Sequence, residues 1–301
     1  MGNGFKNTPQ SKVQVGYFGA SRIVELGLNP DDVAHGFDVN NLEQHNLEGP
    51  FRLLRGGLSG NGFYTIEIAS IKFFVKAGRK SGSFTPVSKD AWSAIPTSNF
   101  DDNFHSHVIT PYFYVQTHDM DFLLYQLLPE NAIFPSEYGW QVGQVTQVVD
   151  ALTKAFYANP STKMRGQNGQ SATLIHGDVT PSNIVFIDGE VKFIDISDMK
   201  YGKVDFELVC FLSYVFAYGD SVENENQALA KDLKAEILFV LGQKVSDPVA
   251  AIKEFINDEP NWGTAIGERF SVRQECLAQL GQFLSFCELS RCGSDQRTLV
   301  S

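Results

Sequence analysis

The sequence predicts an α+β fold in two parts, a small antiparallel sheet followed by a larger, mostly helical region. Three observations carry that expectation. Between residues 51 and 128, short runs rich in aromatic and β-branched residues alternate with glycine-rich or polar turns, the pattern of antiparallel strands. From Pro135 onward, apolar residues recur at helical spacing. The 301 residues suffice for one large domain or two lobes with a full core. A cleft between two such lobes is an expected ligand site.

The elements follow in order. Residues 1–15 are polar, and residues 17–48 read as one or two short helices with a turn at Gly27–Asp32. Asn29-Pro30-Asp31-Asp32 has the composition of a helix start. Residues 1–50 therefore form an expected N-terminal helical extension. Strands are expected at Phe51–Leu54, Phe63–Ala69 and Ile71–Ala77, the first two separated by the glycine cluster Gly56–Gly62. Ser88–Ile95 reads as a helix. Val108–Gln116 and Phe122–Leu128 read as two further strands around a turn at His118–Asp121. These complete an N-terminal lobe over 51–128, and the C-terminal lobe takes 129–301. In that lobe Val142, Val145, Val149, Leu152 and Phe156 mark a helix, and 161–171 reads as a polar loop. Asn183–Ile187 and Val191–Ile194 form a hairpin, because Asp188-Gly189 stands between two apolar runs. Leu229, Leu233, Ile237 and Leu241 mark another helix, and Phe270, Leu277, Leu280, Leu284 and Cys287 a last one.

Composition narrows the function. Hydrophobic residues make up 43% and charged residues 20%, ordinary globular usage that excludes disorder as a whole-chain reading. With 24 basic and 35 acidic side chains the formal charge is −11. That argues against nucleic acid or an anionic membrane as the main partner. No apolar run is long enough to span a bilayer, and no secretory signal is visible. The four cysteines show neither zinc spacing nor a disulfide framework, so the expected location is the cytoplasm. His105 and His107 lack an evident third ligand, which argues against zinc.

The chemistry is concentrated in Leu174-Ile-His-Gly-Asp178-Val-Thr-Pro-Ser-Asn183, continuing to Phe193-Ile-Asp195-Ile-Ser-Asp198. Asp178 ends an apolar strand and opens a loop. Asn183 follows five residues later, where the next strand begins. The hairpin folds Asp195 back beside Asn183. Magnesium takes oxygen ligands, a carboxylate or two plus phosphate and water. Phosphoryl transfer needs such a metal and a carboxylate that orients the attacking hydroxyl. Taken singly, each residue is equally a cap, a turn or a strand end; their combination at this spacing is what points to chemistry.

His-Gly-Asp-x4-Asn followed by Ile-Asp resembles the catalytic core of the aminoglycoside phosphotransferase family, the choline-kinase-like small-molecule kinases of protein-kinase-like fold. Ile194-Asp-Ile-Ser-Asp-Met-Lys-Tyr-Gly202 and Phe206-Glu-Leu-Val209 are similar to the segments that follow in that family. The resemblance implies a two-lobed kinase-like fold with a small β N-lobe and a larger helical C-lobe. It implies ATP and Mg2+ as cofactors, Asp178 as catalytic base, and Asn183 and Asp195 as metal ligands. Lys76 is similar to the family's phosphate-binding lysine. Gly57, Ser59 and Gly60, within Gly56–Gly62, resemble its nucleotide loop, whose backbone N–H groups approach phosphate; read alone, this run is equally a hairpin turn. Leu123-Leu-Tyr-Gln-Leu-Leu-Pro129 looks like the hinge, with backbone near Gln126 and Leu128 facing adenine, and is equally an ordinary buried strand. His176 is implied to hydrogen-bond near the catalytic loop.

The chain also departs from the family pattern. The family carries a glutamate on an N-lobe helix that pairs with the lysine, and no glutamate occurs between Glu67 and Glu130; Asp90 is the nearest acid on an expected helix. The expected function is an ATP-dependent phosphotransferase acting on a hydroxyl of a small molecule. From Asp205 onward the chain has 15 acidic and 8 basic side chains, which favours a cationic acceptor of the aminoglycoside or amino-alcohol kind; an acidic solvated surface accounts for the same count. Asp205, Glu207, Asp220 and Glu223 are the carboxylates expected near it, although the matching family position implies a structural role for Glu207. A protein-kinase-like enzyme and a catalytically weak nucleotide-binding regulatory module are the alternatives. Gly177, in place of an activation-loop-binding arginine, disfavours the former. The oligomeric state is not legible.

Overall fold

A computed structural model describes residues 13–17, 20–44, 62–79, 102–117, 120–158, 163–165, 171–196, 199–257 and 278–290. The architecture is α+β, and the chain divides into two compact units, residues 1–100 with 109–130, and residues 101–108 with 131–301.

The first unit is built on β1 (Gln14–Tyr17), α1 (Ala20–Leu26), α2 (Pro30–Gly36), β2 (Glu43–Gln44), β3 (Gly62–Ile68), β4 (Ile71–Arg79), β5 (Phe113–Gln116) and β6 (Met120–Gln126). The strands form one sheet in the order β1-β5-β6-β4-β3-β2, and its neighbouring strands run antiparallel. Side chains alternate between faces. Ile66, Ile68, Phe73, Val75, Phe113, Val115, Phe122 and Leu124 are buried in one cluster with Ile23, Val33 and Phe37 from the α1–α2 region. Leu123 and Tyr125 lie in a second cluster with Phe74, Ile109 and Tyr114. The helix start at Asn29 is a complete capping box: the Asn29 side chain accepts from the Asp32 amide (2.9 Å) and the Asp32 carboxylate accepts from the Asn29 amide (3.0 Å).

The described elements differ from the expected ones in places. Within the described part of residues 1–50, Gln14–Tyr17 and Glu43–Gln44 are strands of this sheet, β1 pairing with β5 and β2 with β3. Strands of four and two residues are too short for alternation to register. Val108–Gln116 is not one strand: β5 starts at Phe113, after Pro111, which lacks the amide a ladder needs. Asp101–Val108 groups with the second unit, where Val108 bridges Phe193. The expected strand Phe51–Leu54 and helix Ser88–Ile95 lie outside the described residues.

The second unit comprises α3 (Asp102–His107), α4 (Pro135–Tyr138), α5 (Gln144–Leu152), a π-helical turn (Thr153–Tyr157), β7 (Lys163–Arg165), β8 (Ser171–Ile175), β9 (Ile184–Ile187), β10 (Glu190–Phe193), β11 (Lys200–Gly202), α6 (Val204–Val222), α7 (Gln227–Lys244), α8 (Pro248–Asn257) and α9, residues 278–290. Its apolar core takes Val145, Val148, Val149 and Leu152 from α5, Leu208, Phe211, Leu212 and Val215 from α6, Leu233, Ile237 and Leu241 from α7, and Leu280, Phe283 and Cys287 from α9. The β9–β10 hairpin turns at Asp188 (φ 52°) and Gly189 (φ 81°), the two left-handed residues of a type I′ turn. The loop expected over 161–171 is corrected: β7 pairs with β8, which also pairs with β11. Those ladders are held by backbone groups over three residues, and composition carries no mark of them.

Candidate active site

The site grows from the end of β8. His176 is wholly buried, and Gly177 turns the chain with φ 87°, a conformation glycine adopts without a Cβ penalty. This is a local reason for glycine there, beyond the missing arginine. Asp178 then opens the loop. Its carbonyl accepts the Thr180 amide (3.0 Å), and a 3-10 turn follows at Pro181–Asn183. That turn swings Asn183 back onto Asp178: its amide nitrogen donates to the Asp178 carbonyl (2.9 Å) and to Asp178 Oδ2 (2.7 Å). Asp178 and Asn183, five residues apart, are thereby closed into a clasp.

The hairpin brings the third residue. Phe193 stands opposite Ile184, and the Ile194 amide donates to the Asn183 carbonyl (3.0 Å). Asp195 comes next, with φ 54°, a left-handed conformation that non-glycine residues adopt at a cost of order 1 kcal/mol or more. Asp178, Asn183 and Asp195 thus belong to one local construction of the second unit.

His176 ties its two sides together. Its Nε2 lies 2.9 Å from the Ile194 carbonyl, and its Nδ1 lies 3.3 Å from the Asp178 amide. A carbonyl only accepts and an amide N–H only donates, so the neutral ring carries its proton on Nε2. Burial lowers the His176 pKa to about 4, outweighing the Ile194 hydrogen bond and the Asp195 charge, which both raise it. The sign follows. The unfolded chain protonates near the ordinary value of 6.5, so between the two values the folded state binds fewer protons. Stability is therefore full above the unfolded pKa and falls as pH drops toward the folded one. The expected loss from this group between about pH 7 and about pH 5 is about 2 kcal/mol. Urea titrations of the wild type and of His176→Gln check it; equal pH slopes would refute it.

A buried carboxylate fastens the loop from outside. Glu207, in the first turn of α6, is 6% exposed. Its Oε1 accepts the Gly177 amide (2.7 Å) and its Oε2 accepts the Tyr157 hydroxyl (2.6 Å). Glu207 is thereby withdrawn from the expected acceptor carboxylates. So are Asp220 and Glu223, which pair with Lys234 at 2.7 and 3.1 Å. Of the four, Asp205 lines the described cavity of about 360 Å3, with Thr173, Lys203, Phe206, Asp247 and Glu254. Lys203 and Glu254 form an ion pair there, and partial burial raises the Asp205 pKa against the opposing pull of Lys203.

The remaining expected residues belong to the first unit. Lys76, in β4, is 6% exposed, whereas Lys72 is exposed. Lys76 stands opposite Phe63 and Leu123 in the ladders, and Asp121, a buried carboxylate, is its diagonal neighbour on β6. Gln126 ends β6, and its side-chain oxygen accepts from the Tyr112 hydroxyl (3.0 Å). Leu128 follows, half-buried. Gly57, Ser59 and Gly60 lie outside the described residues, as does Asp90. The sequence offers no signal for Tyr157, and it places Asp121 in the turn His118–Asp121, whereas β6 starts at Met120 and buries it.

The residues that could hold a divalent cation are a carboxylate, Asp195, and an amide, Asn183. Both are hard oxygen donors, and the Asn183 NH2 is engaged by Asp178, which leaves its oxygen as the coordinating atom. That chemistry fits magnesium, which takes few protein ligands and keeps water and phosphate oxygens. Among the described residues no group of three or more His, Cys, Asp or Glu is placed to hold a metal, and no helix is long and apolar enough to cross a membrane.

No protein-family model and no curated protein matches the sequence. Solved structures do. The chain is similar to aminoglycoside phosphotransferase APH(4)-Ia, at 10% identity over 89% of this chain and 99% of that one, with a TM-score of 0.48. It is similar to a microcompartment-associated aminopropanol kinase, at 11% identity over 90% and 98%, TM-score 0.41. A third match is the amicoumacin kinase hAmiN, at 10% identity over 86% and 87%, TM-score 0.40.

Proposed function

We propose that this chain is an ATP-dependent phosphotransferase that phosphorylates a hydroxyl of a small molecule. The observation that supports the reading is the Asp178–Asn183 clasp, with Asp195 one residue past the Ile194 amide that donates to the Asn183 carbonyl. Asp178 orients the acceptor hydroxyl and takes its proton. Asn183 and Asp195 hold Mg2+, which when bound neutralises phosphate charge. Lys76 holds the nucleotide phosphates together with the backbone of Gly57, Ser59 and Gly60, and the backbone at Gln126 and Leu128 meets adenine. Catalysis by such a site is mostly positioning and charge neutralisation. Asp205 and Asp247, which line a cavity of the second unit, support an amine-bearing acceptor, an aminoglycoside or amino alcohol, and the cytoplasm is the proposed location.

ATP with Mg2+ is expected to raise the melting temperature, because a ligand bound only by the folded state stabilises it, by about 3 kcal/mol at roughly 100 times Kd. Thermal shift with ATP, with and without Mg2+, measures this. Absence of any shift would remove the kinase reading. ADP release across a panel of hydroxyl acceptors then tests turnover. A second reading, a nucleotide-binding module without turnover, is favoured by the missing glutamate between Glu67 and Glu130; it predicts the thermal shift without ADP release.

A further inference from the structure

We propose that Tyr157 is a positioning residue for Asp178, and that the π-helical turn closing α5 is the device that places it. Its consequence for rate rests on the phosphotransferase reading; its consequence for the loop does not.

The turn is defined by the Ala158 amide donating to the Thr153 carbonyl (2.8 Å), five residues back. Turns of this kind occur mostly as single insertions in α-helices and often at functional sites. Here two adjacent residues of the turn reach the two side chains that accept the successive amides of Gly177 and Asp178, Glu207 and His176. Phe156 packs edge-on against the His176 ring, with centroids 6.0 Å apart, and against Phe104 and Phe193. Tyr157 donates its hydroxyl to Glu207 Oε2 (2.6 Å). Glu207 Oε1 in turn accepts the Gly177 amide (2.7 Å), and Gly177 immediately precedes Asp178.

A carboxylate rotates about its last bond unless both oxygens are engaged. Tyr157 fixes Oε2, and that fixes Oε1 on Gly177. The hydroxyl is a constant donor, since burial and the Glu207 charge raise its pKa well above the ordinary 10. The chain of contacts runs from α5 through α6 to the catalytic loop and ends on the peptide that aims the Asp178 carboxylate. Small misplacements of a reacting group are costly in rate, so loss of one hydroxyl, remote from the chemistry, should register there.

The test reads the Gly177 amide directly. Isotope labels on glycine nitrogen and on histidine and valine carbonyl carbon select the His176–Gly177 and Val142–Gly143 amides, together with His35–Gly36 and Val15–Gly16. Gly143 is the control in the same unit, because its amide donates to another carboxylate, Glu236 (2.9 Å). In Tyr157→Phe, Gly177 hydrogen exchange should accelerate roughly tenfold or more, as loss of a hydrogen bond to a charged group implies, with Gly143 unchanged. In Glu207→Gln the side-chain oxygen still accepts from Gly177 and the amide donates to the Tyr157 oxygen, so Gly177 exchange should stay closer to wild type than in Tyr157→Phe. With Mg·ATP as the probe, Tyr157→Phe should lower kcat for ADP release about tenfold and leave KM for ATP within about twofold. Unchanged Gly177 exchange overturns the proposal. So does equal acceleration of Gly177 and Gly143, which marks general loosening. Wild type that releases no ADP, while Gly177 responds as expected, upholds the coupling and overturns the phosphotransferase reading instead.

Discussion

Asp178→Asn is expected to reduce phosphoryl transfer by about 10²–10⁴-fold while leaving ATP affinity within a few-fold. The substitution is nearly isosteric. An asparagine oxygen can still accept from the Asn183 amide nitrogen, which lies 2.7 Å from Asp178 Oδ2, so the clasp survives. The backbone contacts to Thr180 and Asn183 do not involve the side chain. What is lost is the negative charge and the capacity to take a proton from the acceptor hydroxyl. Nucleotide binding, assigned to Lys76, Asn183 and Asp195, should therefore persist. Isothermal titration with Mg·ATP and single-turnover ADP release separate the two. A collapse of ATP affinity together with rate would make Asp178 a metal or structural residue.

The loop that carries this prediction was legible in the sequence, because each of its parts is local. Asp188-Gly189 imposes its own hairpin, and the hairpin register carries Asp195 toward Asn183 without help from distant residues. The capping box at Asn29–Asp32 is legible for the same reason. What stayed hidden depends on partners far along the chain. Glu207 meets Tyr157 and Gly177, which are 50 and 30 residues away; the family resemblance implies a structural place for it, but which partners it holds is decided only by the folded chain. The strands β1, β2, β7 and β11 are two to four residues long. Their pairing is decided by which backbone edges face one another, which composition does not encode. The expected strand Val108–Gln116 narrows to Phe113–Gln116 because Pro111 outweighs the apolar run.

Asp195→Asn is expected to abolish Mg2+-dependent nucleotide binding and transfer together, with little loss of fold. Asparagine is the informative substitution because Asp195 sits at φ 54°. Aspartate and asparagine visit that left-handed region more readily than other non-glycine residues. Alanine there would add backbone strain to the loss of charge and confuse the two. With asparagine the hairpin and the Ile194–Asn183 contact (3.0 Å) should stand, and unfolding by urea should shift little. The charge, however, is the principal anionic donor of the proposed metal pair, since Asn183 brings a neutral amide. Without it the cation is held too weakly to neutralise the triphosphate. Thermal shift should then show the same small response to ATP with or without Mg2+, and ADP release should fall to background. Retained turnover in Asp195→Asn would transfer the role to Asp198, which lies three positions on and outside the described residues. An equal collapse of urea stability would instead make Asp195 a structural residue of the loop.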